Sequence, residues 1–369
     1  MHEIPQEPIL HVALGLTVIL LTVLILPFRV RIVEENLEPF FLIMGALSVT
    51  VSGLWSFELV KDALKEPIWL PNTPIPIGIF QVVLTAGLII HTFNRQIYDS
   101  IMKLLRRIGI GAFTFFMISF LGLISSLISV IVTAVILSEV ASILPIDRRR
   151  KIEFVVIACF AVGLGAALTP VGEPLSTIAV SKLKGEPYHA DFFFLLNLLG
   201  VYVIPGIILL SIYGVYRIGG VRFEYVEIPR YEESLRNVVL RAVRVYIFVS
   251  ALILLGKGLS PLAVWFFSKV PPEGLYWLNT ISAILDNATL VAVEIEPEMS
   301  LMQIKSALIS LLISGGMLIP GNIPNIVSAG RLKIRMKDWA KIGLPIGIVL
   351  LAFYFTVLML EVRLSVCSQ

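Results

Sequence analysis

Gly165-Ala-Ala-Leu-Thr-Pro-Val-Gly-Glu-Pro174 and Gly315-Gly-Met-Leu-Ile-Pro-Gly-Asn-Ile-Pro324 are two copies of one pattern, G-x-x-L-x-P-x-x-x-P. Each copy lies inside a long apolar segment. A helix in lipid bonds its own backbone groups. Proline removes a donor from that ladder, and the carbonyls it frees need protein or a wet cavity as partners. Two matched interruptions in the two halves of one chain point to discontinuous helices that meet near the middle of a bilayer. The pair predicts an all-α polytopic membrane protein.

Composition agrees. Apolar residues make up 57% of the 369, charged residues 15%, and the mean hydropathy is +0.92. Soluble domains carry about 25% charge. Many runs reach the ~20 residues that a bilayer requires. In such a chain a net charge of +3 gives no reason to expect a nucleic-acid partner; where the charges fall matters more. Cys159 and Cys367 are too few for a metal quartet. The sequence carries no H-E-x-x-H, G-x-S-x-G or P-loop pattern. Neither an enzyme nor a cofactor is expected, and uphill work would draw on an ion gradient rather than ATP. The first apolar run, Ile9 to Phe28, follows Glu3 and Glu7 and precedes Arg29 and Arg31. A secretory signal has the opposite order of charge, so this run reads as a retained span with the N-terminus outside.

Apolar runs place spans at about 9–27, 38–56, 76–93, 152–185 (broken), 191–217, 240–257, 300–331 (broken) and 341–360. Basic clusters at Arg29/Arg31, Arg95/Lys103/Arg106/Arg107, Arg148 to Lys151, Arg217/Arg222/Arg230/Arg236 and Arg331 to Lys341 mark cytoplasmic loops. Two of them flank 109–144, which must then enter and leave by one face as a re-entrant helical hairpin. Residues 260–294 run up to Glu294, Glu296 and Glu298, and are expected to form a hairpin opened from outside. Segments 97–108 and 222–237 are expected to lie along the interface. Hairpin plus broken helix thus occurs twice, in opposite orientation, as an inverted repeat. The division is 1–108, scaffold helices and an interfacial arm; 109–190, first hairpin and broken helix; 191–258, scaffold helices with a basic linker; 259–335, second hairpin and broken helix; and 336–369, a final scaffold helix. Both termini fall outside, and the location is the plasma membrane.

Asp286 and Asn287 stand in an otherwise apolar stretch, Asn279 to Leu290. An ionisable group at membrane depth costs at least ~2.5 kcal/mol on insertion scales, so its retention argues for a pathway and makes it a candidate proton carrier. The plain alternative is a pair of helix caps at a hairpin tip. Glu173, between Gly172 and Pro174, carries the same argument; its alternative is a cap on the second half-helix. Carboxylates and freed carbonyls are hard oxygen donors, so Asp286, Asn287 and Glu173 are the candidate ligands for sodium. Thr169, Asn322 and Asn325 flank the two breaks, and Ser129 and Thr133 lie in the first hairpin. Each can bond an ion or its waters, or simply bond its own helix. Glu139 and Glu294 are expected to be solvated helix ends.

Two hairpins of opposite orientation, each before a helix broken at a Pro/Gly loop, resemble the ion transporter superfamily. That group holds D-type sodium/proton antiporters, arsenite permeases, and sodium-coupled dicarboxylate and citrate carriers. Leu285-Asp-Asn-Ala-Thr-Leu-Val291 is similar to the D-N-x-P-L-V element of the D-type antiporters, with Thr289 in place of proline. Thr169-Pro-Val-Gly-Glu-Pro174 resembles the family's T-P-x-G loop. The chain is also similar to uncharacterised prokaryotic permeases grouped with cation transporters. The resemblance covers about residues 100–360. It implies an elevator mechanism, with hairpins and broken helices as the transport domain and a scaffold that dimerises. It also implies sodium sites at Ser125 to Thr133 beside Thr169 to Glu173, and at Ser282 to Asn287 beside Pro320 to Asn325. The Ser-Asn-Thr tip of the dicarboxylate carriers is replaced here by Ser129-Val-Ile-Val-Thr133 and Asp286-Asn-Ala-Thr289. The expected function is exchange of sodium, or another monovalent cation, for protons. The alternative is a sodium-coupled carrier or efflux permease for a carboxylate or oxyanion held at half-helix N-termini.

Overall fold

The apolar runs fold as helices. The computed structural model describes residues 8–69, 78–220, 235–267, 272–280 and 287–367. Among these, five helices are long and apolar enough to cross a membrane: Leu10–Arg29, Asp99–Ile128, Phe194–Ile218, Leu235–Phe266 and Met336–Glu361. The protein is a helical membrane protein with several spans.

Helices α1 (Leu10–Arg29), α2 (Arg31–Glu35), α3 (Leu37–Ser52) and α4 (Phe57–Lys65) come first. Helix α5 (Ile79–Ile128) turns at two non-helical residues, Phe93 and Gly109. Gly109 sits at φ +77°, a conformation that glycine adopts without steric cost. The two kinks set off 94–108 as a separate basic segment and leave 110–128 as an apolar helix. Ser129, at φ +82°, then reverses the chain into α6 (Val130–Ile143). Helix α7 (Arg148–Ala166) runs parallel to 110–128: Gly122 lies against Ala161, and further along Ser126 O takes the hydroxyl of Thr169 at 2.5 Å, while Gly122 and Gly165 touch with no room for a side chain. Because α6 ends beside the start of α7, where Lys151 Nζ bonds Ser142 O at 2.9 Å, 110–128 and α6 are an antiparallel pair. The interruption 167–173 leads into α8 (Pro174–Lys182), and α9 (Phe194–Ile218) returns.

The second half begins with helix α10 (Leu235–Leu262), which continues through a π-helical turn, Ala263–Phe267. It is longer than the span expected at 240–257, and 260–267 belongs to it rather than to a hairpin. Lys257, which reads as a helix end, lies on an exposed face while the apolar run continues beyond it. Helices α11 (Pro272–Leu278) and α12 (Asn287–Glu294) flank 281–286, which with Ser282 and Asp286 lies outside the described residues, as do 221–234 of the expected basic arm. Next come α13 (Leu301–Met317), a 3-10 turn at Ile319–Gly321, α14 (Ile323–Leu332) and α15 (Met336–Cys367).

The two broken helices, α7–α8 and α13–α14, run in opposite directions. At one end Arg148 Nη2 bonds Lys333 O at 2.8 Å. At the other, Lys182 Nζ bonds Ile295 O and Glu296 Oε1, both at 2.8 Å, and Tyr188 OH bonds Met299 O. Helix α6 packs along α14, and α12 along α8. Helices α3 and α10 form a separate close pair, with Gly45 against Ala251 and Gly258 against Ser48. Small residues permit such approach between helices that lipid surrounds. Helix α9 packs on α7, and α15 on α13. Ion pairs join them: Glu153 with Arg217 at 2.5 Å, and Lys305 with Glu361 at 2.7 Å. Helices α9 and α15, in the stretches 191–258 and 336–369 that the sequence assigned to the scaffold, thus pack directly on the broken helices.

Candidate functional site: the two helix breaks

A proline deprives the carbonyl four residues earlier of its helical partner. In the first break Pro170 O, opposite Pro174, takes the hydroxyl of Thr177 at 2.6 Å. Gly172 O takes the N–H of Val130, just past the turn of the first hairpin, at 2.8 Å. In the second break Gly316 O, opposite Pro320, takes Trp339 Nε1 at 3.2 Å. Gly315 O and Leu318 O both take Asn325 Nδ2, each at 2.8 Å. Named donors therefore hold each unwound segment open, which a buried break requires.

These bonds also fix what the second break offers a ligand. Asn325 spends its amide nitrogen on two carbonyls, and Asn287 donates Nδ2 to Leu311 O at 3.1 Å. Both amides lie against Gly315, where a methyl group would overlap Asn287 Nδ2. With the nitrogens committed, Asn287 Oδ1 and Asn325 Oδ1 are buried acceptors with no hydrogen-bond donor among the described residues. Asn325 is 0% exposed and Asn287 7%. Buried acceptors left without a donor cost about 1–3 kcal/mol each, and hard oxygens of this kind suit an alkali cation.

The first break is built differently. Thr169 donates to Ser126 O at 2.5 Å and accepts from Val171 N at 3.3 Å. Glu173 occupies the N-cap position of α8 but makes no capping hydrogen bond, and it is buried. Ser129 caps α6 through Ile131 N at 3.3 Å, and Thr133 donates to Ser129 O at 2.9 Å, so both hydroxyls serve their own turn. Asn322 accepts from Ile323 N at 2.8 Å, while its amide nitrogen faces Gly163 of α7. Asn287 and Asn325 therefore share Gly315; Thr169, Ser129 and Glu173 belong to the other break; and Asn322 touches across. Among the described residues no group of three His, Cys, Asp or Glu side chains converges.

Glu139 and Glu294 are not solvated ends. Glu139 is 6% exposed, takes Arg331 Nε at 2.8 Å and Nη2 at 2.7 Å, and lies 3.3 Å from Arg241 Nη2. Helices α14 and α10 cover it from two sides. Glu294 is buried and accepts Asn279 Nδ2 at 3.1 Å, and the same nitrogen donates to Ser310 at 2.9 Å. The signal that singled out Asp286, a lone acid in an apolar stretch, applies equally to Glu139 in Val130–Ile143. The partner Arg331 lies 192 residues away, beyond any sequence pattern.

The chain belongs to DUF1646, a family of proteins of unknown function, which matches residues 13–361. No curated protein matches it.

Proposed function

We propose that this protein is a secondary transporter that exchanges sodium, or another monovalent cation, for protons by alternating access. The observation that carries the reading is the pair of buried amide oxygens, Asn287 Oδ1 and Asn325 Oδ1, which meet no donor among the described residues although both side chains lie at the second break. A cation bound there would supply the partner that these oxygens lack. Glu173, buried in the first break, and Asp286, next to Asn287 in the chain, would carry the protons.

The helix order supports an inverted repeat in which 110–128, α6, α7, α8 and α9 correspond to α11 to α15. Each second hairpin arm packs on the second half-helix of the other repeat, α6 on α14 and α12 on α8. Under this reading the hairpins re-enter the membrane. They would move with the broken helices, α9 and α15 as one elevator body against α1, α3 and α10, the frame through which two copies would pair. The second reading, coupled carriage of a carboxylate or oxyanion, draws on the N-termini of α8 and α14, which both open at the breaks.

The test is intravesicular pH in proteoliposomes under an imposed sodium gradient, for wild type, Glu173→Gln and Asp286→Asn. Sodium-driven proton movement in wild type, abolished in Asp286→Asn, is the expected result. No movement with sodium, lithium or potassium would sink the antiporter and turn the search to labelled anions.

A further inference from the structure

A cleft of about 350 Å³ opens between α10 and the α14–α15 junction. Its lining is part apolar, including Leu37, Val245, Phe248, Ile319 and Ile326. Five cations line it as well: Arg241, Arg244, Arg331, Lys333 and Arg335. One acid, Glu38, lines it. Three of the five cations have carboxylates of their own: Arg241 and Arg331 share Glu139, and Arg335 pairs with Asp338 at 2.9 Å. Arg244, from α10, and Lys333, from the C-cap of α14, meet no carboxylate at ion-pair distance among the described residues, and both are exposed.

The position matters as much as the charge. The cleft lies where α10 begins and α14 ends, and these are helix termini at the basic end of a membrane protein. Basic pockets between helix ends on that side suit phosphate headgroups. A lining that combines apolar side chains with guanidinium and ammonium groups has the two-part chemistry of an amphiphile with a charged head. Arginine binds phosphate oxygens in a fork, and lysine as a point charge.

We propose that this cleft is a binding site for a phosphate-bearing anion, held by Arg244 on one side and Lys333 on the other, which ties α10 to the end of the second broken helix. The cleft reaches Ile319 of the second break, but the cations that would hold the anion, Arg244 and Lys333, are not residues of either break, and the proposal does not depend on which ion the protein carries. A phosphate of this kind is supplied either by an anionic phospholipid headgroup or by a soluble phosphate.

Gly330 provides a clean obstruction. It lines the cleft, and a Cβ added there meets nothing within 4 Å. Gly330→Trp is the variant chosen to obstruct the cleft, while Arg244→Ala/Lys333→Ala removes the charge at two exposed positions. The experiment is native mass spectrometry and thermal unfolding of the purified chain. The probes are phosphatidylglycerol, phosphatidylcholine and inorganic phosphate. Retention of phosphatidylglycerol over phosphatidylcholine is expected, about tenfold weaker for each cation removed, and lost in Gly330→Trp. Selective stabilisation by inorganic phosphate, with the same loss in both variants, supports the site and assigns it to a soluble anion. Equal retention of both lipids with no effect of phosphate overturns the proposal, as does binding unchanged in both variants.

Discussion

Glu139 lies between Arg331 and Arg241, all three at most 10% exposed in their side chains. Removing the carboxylate takes an ion-pair partner from two buried guanidinium groups, and breaking a buried pair in this way costs about 3–5 kcal/mol. Glu139→Ala should lose that much unfolding free energy, and Glu139→Ala/Arg331→Met should recover part of it, because the second substitution removes one of the two buried charges that lost the carboxylate. Chemical unfolding in detergent measures both. A single variant within about 0.5 kcal/mol of wild type would show a solvated pair of little consequence. Glu139 also shows where the sequence stops being legible. Its burial follows from helices contributed by residues 241 and 331, and no local pattern announces them. Asn325 is the opposite case. It lies one residue after Pro324, and the need for a side-chain donor beside a proline break is readable from the pattern alone. That its oxygen is then buried with no donor among the described residues is a consequence of geometry, and only the structure supplies it.

At the scale of the element, a break persists because its free carbonyls have partners. Trp339 is 0% exposed, and its indole N–H is the donor for Gly316 O, which Pro320 leaves without a helical bond. Trp339→Phe keeps most of the apolar contact and deletes the donor. The expected loss is about 1–3 kcal/mol of stability, the cost of one buried orphan. Unfolding of Trp339→Phe beside Trp339→Leu separates the hydrogen bond from the packing. If Trp339→Phe matches wild type, another group satisfies Gly316 O. The sequence located both breaks because Gly and Pro act through the backbone, whose requirements are local. It misplaced the end of α10 because a lysine at an exposed helix position looks the same as a lysine at a helix end. The π-helical turn at Ala263–Phe267 adds length that a count of apolar residues does not assign.

For the whole molecule, the bonds between opposed elements define two ends. Arg148 meets Lys333 at one, and Lys182 meets Glu296 at the other. The first end gathers Arg148 to Lys151, Arg217, Arg241, Arg331 and Lys333; the second carries Glu294, Glu296 and Glu298. Basic loops stay in the cytoplasm, so the two ends should face opposite compartments, and the broken helices should cross the whole membrane in opposite senses. Lys333 and Glu298 are both exposed and suit single-cysteine reporters. The background is favourable, because Cys159 is buried and Cys367 can be replaced by serine. A membrane-impermeant maleimide should label Lys333→Cys only in inside-out vesicles and Glu298→Cys only in right-side-out vesicles. Labelling of both from one side would dismantle the inverted arrangement, since α13–α14 could not then span from one end to the other. Labelling of each from the side opposite to that expected would keep the arrangement and reverse its orientation, placing the basic cleft at the outer face. The same two reporters therefore test the crossing of the helices and the sidedness assigned from charge.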